Sequence, residues 1–213
     1  MLERITRREE FDLFVAWLAI SLAFTIIFIA PAGILGGTAH LEPIDALIFF
    51  GISLVTVGIG FILHEMAHKF TAMRYGFWAE FRKDNTMLLI AVVLAAMVGF
   101  VFAAPGATVI YTDQNRMITR EQNGVISAIG PGINLLLCIP FAIIAAFATI
   151  TNASQILLLV GVIGLRVNAM LAAFNMLPVS VLDGRKVWAW NKGVFAILAV
   201  VAFGTLLASY YLL

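Results

Sequence analysis

Long apolar runs, separated by short polar stretches, dominate the chain. Five of them approach or exceed the ~20 residues that an α-helix needs to cross a bilayer. They cover residues 13–30, 44–75, 125–150, 155–175 and 194–212, with approximate ends, and the first stops at Pro31. A sixth apolar segment, residues 87–104, lies between the second and third. Residues 77–82 and 107–111 alternate or carry β-branched and aromatic side chains, which predicts short strands, with an irregular surface loop as the alternative. The pattern predicts an all-α polytopic membrane protein of five to six transmembrane helices, with short β-like segments in its loops. No repeat or low-complexity linker divides it, so residues 1–213 are expected to form a single membrane-embedded domain.

Composition strengthens that reading. The chain is 62% hydrophobic and 12% charged, against about half and about a quarter in a soluble domain. That hydrophobicity makes the lipid bilayer an expected partner; the net charge of +1 says little about partners, and no basic block suggests nucleic acid. Cys138 is the only cysteine and sits in an apolar run, which excludes an intrachain disulfide or a cysteine-rich zinc site. The charged stretch 1–12 leads into the first run with no obvious small-residue cleavage site, which reads as a retained span.

Loop charges predict an orientation, because Lys and Arg accumulate on the cytoplasmic side. Arg4, Arg7 and Arg8 precede the first run, and Lys69, Arg74, Arg82 and Lys83 lie at or beyond the end of the second. Loop 32–43 has neither Lys nor Arg and contains His40, which is expected to be solvated. The N-terminus is therefore expected in the cytoplasm, in a multi-pass protein of the cell membrane. If segment 87–104 does not cross, Arg116, Arg120, Arg185, Lys186 and Lys192 fall on that side as well. A re-entrant or bundle-buried segment fits best, since irregular backbone at membrane depth is tolerated where protein covers it. An ordinary sixth span is the alternative.

Chemistry is concentrated in the second run, at His64-Glu65-Met66-Ala67-His68. Histidines four residues apart project from one helix face, a spacing that suits two ligands of one tetrahedral zinc. Glu65, beside the first, can act as general base toward water activated by the metal. Ionisable groups inside a membrane span are costly and mark functional sites by default. A catalytic zinc needs a third protein ligand and an open position. Asp183 is the only acidic residue between Glu121 and the C-terminus, lying between Pro178 and Gly184. It is a candidate ligand, and an Asp-Gly surface turn is the alternative.

These residues together resemble the site-2 protease family of intramembrane metalloproteases. The likeness rests on His64, Glu65 and His68, on Asn175, Pro178 and Leu182-Asp183-Gly184, and on Gly130-Pro131-Gly132-Ile133-Asn134, within residues 64–186. It implies one Zn2+ per chain held by His64, His68 and Asp183, with Glu65 as catalytic base. It implies a zinc core at about residues 44–186 and a transmembrane protein as substrate. Asn175 would orient substrate or stabilise the oxyanion, with a helix cap before Pro178 as the alternative. Asn134 and Gly130 would lie near a bound substrate strand, although close helix approach explains them equally well. The region that often holds a short Gly-Gly loop in the family is occupied here by segment 87–104. The active site is expected toward the cytoplasm.

The expected function is hydrolysis of peptide bonds within or near transmembrane segments. The rival is a zinc-binding membrane protein without protease activity, such as a sensor, carrier or inactive homologue. It would keep the histidines but would not need Glu65.

Overall fold

The computed structural model describes residues 5–33, 42–101, 106–112, 117–179 and 181–211. His40 lies outside the described residues. Among the described residues, eight helices and two strands follow in the order α1 (Arg7–Ile29), α2 (Pro43–Ser53), α3 (Ile59–Arg74), β1 (Trp78–Lys83), α4 (Asn85–Val98), β2 (Gly106–Tyr111), α5 (Arg120–Ile150), α6 (Gln155–Asn175), α7 (Asp183–Trp190) and α8 (Lys192–Tyr211). A π-helical turn, Leu54–Gly58, joins α2 to α3, so that one helix runs over Pro43–Arg74. Five helices among the described residues are long and apolar enough to cross a membrane. They coincide with the five predicted spans, and β1 and β2 form a two-stranded sheet where the strands were expected. The fold is therefore all-α and polytopic with a small sheet.

The helix ends follow from local chemistry. Thr6 caps α1 by accepting from the Glu9 N–H at 3.3 Å, and the helix stops just before Pro31. Thr119 and Gln122 form a reciprocal capping box at the start of α5. Pro131 and Pro140 lie inside α5, which is tolerable in a membrane helix because neighbouring groups re-satisfy the freed carbonyls.

The chain divides into two compact units. The first comprises Met1–Ile62 and Glu80–Val109, and in it α1 packs against α2 and α4. A π-helical turn breaks the regular i→i−4 ladder, and an unsatisfied carbonyl at membrane depth would cost several kcal/mol. Trp17 answers that need by donating its indole N–H to the Leu54 carbonyl at 3.0 Å. At the start of α1, the fully buried Glu9 accepts from the Phe81 N–H at 2.9 Å. Asp12 lies 3.5 Å from Arg82, which also pairs with Glu80.

The path of α4 bears on the sixth apolar segment. Its 14 residues extend about 21 Å, short of the ~30 Å hydrocarbon core. It leaves β1 beside the beginning of α1, where Lys83 stands over the Phe11 ring. It ends at Gly99, packed against the Pro31 carbonyl beyond the other end of α1. Yet Gly106, which opens β2, lies against Arg82 and Lys83. The chain thus departs from β1 and returns to it, as a re-entrant segment would. Residues 102–104 of the predicted segment lie outside the described residues.

The second unit comprises Leu63–Ala79 and Ile110–Leu213. Here α5 packs against α6 and α7, and α6 against α8. Cys138 is buried with Phe141, Leu165 and Ala169 between α5 and α6. The short helix α7 was not predicted, because its eight residues carry no apolar run of membrane length.

A re-entrant α4 has a topological consequence. Cysteines placed at Arg8 and at the exposed Met117 are expected to react with an impermeant thiol reagent from one face of the membrane. A cysteine at Asn152, between α5 and α6, is expected to react from the other. Labelling of Arg8→Cys and Met117→Cys from opposite faces would show that the segment crosses.

Candidate metal centre

Helix α3 carries His64 and His68 one turn apart, with ring centroids 4.6 Å apart and the Nε2 atoms 3.0 Å apart. Asp183 reaches them from another element. Helix α6 ends at Asn175, and Pro178 prevents its continuation. The chain turns through a Leu182 N–H to Val179 carbonyl bond of 3.2 Å and starts α7 at Asp183. Gly184 is required for this return, because a Cβ there would stand 2.3 Å from the Met176 carbonyl oxygen. The Asp183 Oδ2 consequently lies 3.3 Å from His64 Nε2 and 3.1 Å from His68 Nε2. All three residues are buried.

The remaining polar atoms of the three are held too. His68 Nδ1 is 2.6 Å from the Ile126 carbonyl, and His64 Nδ1 is 2.6 Å from Asn134 Oδ1. A carbonyl oxygen only accepts, so the bonded Nδ1 is the N–H, and in the neutral imidazole each Nε2 then carries the lone pair. Lys186 Nζ stands 3.6 Å from Asp183 Oδ1.

Two imidazole lone pairs and a carboxylate oxygen thus converge at 3.0–3.3 Å. Such atoms repel one another unless a proton or a metal cation lies between them. Donors bound at about 2.0–2.1 Å to a tetrahedral zinc stand roughly 3.3–3.4 Å apart, and all three are ordinary zinc ligands. The donor set therefore fits a zinc ion with one position open.

The structure places the other predicted residues as follows. Glu65 directly follows His64 and is buried. Gly130 faces the imidazoles: a Cβ there would lie 2.4 Å from His68 Nε2 and 2.7 Å from His64 Cε1. Asn134 is fully buried against His64. Asn175 is half-buried at the last position of α6, donating to the Leu171 carbonyl at 3.0 Å. Three partners were not anticipated from sequence. Asn168, which accepts from the Asn134 amide at 3.0 Å, carried a usable signal, a polar side chain within a span, whereas the Ile126 carbonyl carried none. Lys186 was read only as a topological charge.

Gly130 and Gly132 give a paired test. Nothing lies within 4 Å of a Cβ at Gly132, so Gly132→Ala should leave zinc binding unchanged and raise stability by up to about 1 kcal/mol. Gly130→Ala should weaken zinc binding at least about tenfold, since it intrudes on the ligand atoms. Metal analysis and thermal unfolding of the two variants would check both outcomes.

No protein-family model and no solved structure matches the chain. A Methanocaldococcus jannaschii protein named "Putative zinc metalloprotease MJ0611" is 36% identical over 204 residues, covering 96% of this chain and 95% of that protein. That name agrees with the metal chemistry of His64, His68 and Asp183, and the similarity spans nearly both chains. This membrane-type chain belongs to the zinc metalloprotease family of that archaeal protein.

Proposed function

We propose that the protein is an intramembrane zinc metalloprotease of the site-2 type, cleaving peptide bonds within or near transmembrane segments of membrane-protein substrates. The observation that carries this reading is the convergence of the Asp183 carboxylate on two imidazoles that stand beside Glu65 on a helix long and apolar enough to span a bilayer. A soluble substrate has no route to a site at membrane depth, whereas a membrane-embedded one shares its solvent. The basic residues flanking the first two spans support an N-terminus and active site toward the cytoplasm, in the cell membrane.

His64, His68 and Asp183 hold the metal, one ion per chain. Zinc, when bound, supplies Lewis-acid activation of water and of the scissile carbonyl at neutral pH. The Glu65 carboxylate takes a proton from the attacking water as the oxygen–carbon bond forms. It delivers that proton to the leaving nitrogen as the carbon–nitrogen bond breaks. Asn175 has one amide N–H committed to Leu171, and its second N–H is suited to the developing oxyanion. A substrate helix satisfies its own backbone bonds, so it unwinds locally before attack. Its segments of low helix propensity are the expected cleavage sites.

Two variants separate binding from chemistry. Glu65→Gln should retain stoichiometric zinc while losing cleavage of a single-span substrate in liposomes by at least about a hundredfold. Full cleavage by Glu65→Gln would overturn the mechanism. Asp183→Ala should lose both zinc and cleavage, measured by metal analysis and the same assay. If wild-type protein holds zinc yet cleaves no single-span substrate, the non-proteolytic zinc protein is the better reading.

A further inference from the structure

Beyond the three ligands, the structure contains a buried polar chain that begins far from the metal. The Gly164 carbonyl accepts from Asn168 Nδ2 at 2.8 Å. Asn168 Oδ1 accepts from Asn134 Nδ2 at 3.0 Å. Asn134 Oδ1 then meets His64 Nδ1 at 2.6 Å. Both asparagines are fully buried, one on α5 and one on α6.

The polarity of this chain is dictated from its far end. Gly164 offers only an acceptor, so Asn168 must turn its NH2 toward it. Asn168 then presents oxygen to Asn134, and Asn134 must answer with its own NH2. The oxygen of Asn134 is left facing His64, whose Nδ1 must be the protonated nitrogen. The Nε2 lone pair is thereby directed at the metal position. A flipped Asn134 would present N–H to N–H and favour the other tautomer, with no lone pair for zinc.

We propose that Asn134 and Asn168 are positioning residues that set the tautomer and orientation of His64 for zinc, with Asn168 acting only through Asn134. The proposal rests on the zinc reading above. It assigns Asn134 a role toward the ligand and draws in Asn168, whose side chain bonds to Asn134 and to the Gly164 carbonyl. In a dry helix interface an unpaired amide costs more than in water, so a single misoriented member is disfavoured and the chain behaves as one switchless relay.

Zinc affinity of the purified full-length protein, measured by chelator competition, tests this directly. Thermal unfolding of the zinc-free protein serves as the measure of folding. Asn168→Ala removes the acceptor that orients Asn134 and is expected to weaken zinc binding about tenfold, the usual scale for loss of a ligand's outer partner. Asn168→Asp keeps an acceptor oxygen toward Asn134 in either protonation state, and should bind within about threefold of wild type. Asn134→Asp combined with Asn168→Ala should recover most of the loss, because a carboxylate presents oxygen to His64 in either orientation. A purely packing role for Asn168 would not be rescued by a change at residue 134.

Unchanged affinity in Asn168→Ala, or a loss that Asn134→Asp does not recover, would overturn the relay while leaving the zinc reading intact. Wild-type protein that binds no zinc would overturn both. If Asn168→Ala does not fold, Asn168→Asp decides the matter: affinity near wild type supports the relay, and a loss of tenfold or more in a folded protein overturns it.

Discussion

Three electron-rich atoms held within 3.3 Å of one another in a buried site are the constraint around which the second unit is organised. Mutual repulsion would push such groups apart, and a cation between them turns repulsion into coordination. The geometry depends on aiming every ligand from its far side. The Ile126 carbonyl aims His68, the Asn134 amide aims His64, and the turn from Pro178 to Gly184 aims Asp183. These supports come from α5 and from the connection between α6 and α7, so a single helix could not have built the site. Gly130 completes it by absence, since any side chain there would enter the ligand cluster.

The same logic of satisfied polar groups runs through the membrane helices. Trp17 caps the carbonyl at the π-helical turn, Asn168 uses the Gly164 carbonyl, and Cys138 donates to the Asn134 carbonyl at 3.3 Å. Water cannot perform these tasks inside a bilayer. Most of the buried polar side chains in the spans are consequently paired, the Ser21 hydroxyl being an exception among the described residues. Arg166 follows the rule as well, donating to the Ser209 carbonyl at 3.2 Å and lying over the Tyr210 ring.

Much of the architecture was legible because membrane length is a one-dimensional property. An apolar run either reaches the bilayer thickness or falls short, and five runs reached it. The segment beginning at Met87 was ambiguous, because its apolar length lies near the threshold. Only the fold brings Gly106, beyond the segment, against Arg82 and Lys83, which precede it. Helix α7 escaped notice for the opposite reason: it is short, and its helicity depends on the packing of Val187 and Gly184 in the fold.

For the site, the sequence by itself determined that the two imidazoles share one helix face beside Glu65, because His64, Glu65 and His68 are related by helix periodicity, a local rule. It also singled out Asp183 and Asn134 as residues whose chemistry needed an explanation. Tertiary structure alone decided that the Asp183 carboxylate meets both imidazoles, since 115 positions of chain separate it from His68 and no local rule links them. It also decided that Gly130 faces the ligands and that Asn134 turns its oxygen to His64. Those facts depend on the rotation of α5 and α6 about their axes, which is set by packing between helices and is not written in the spacing of residues along any one of them.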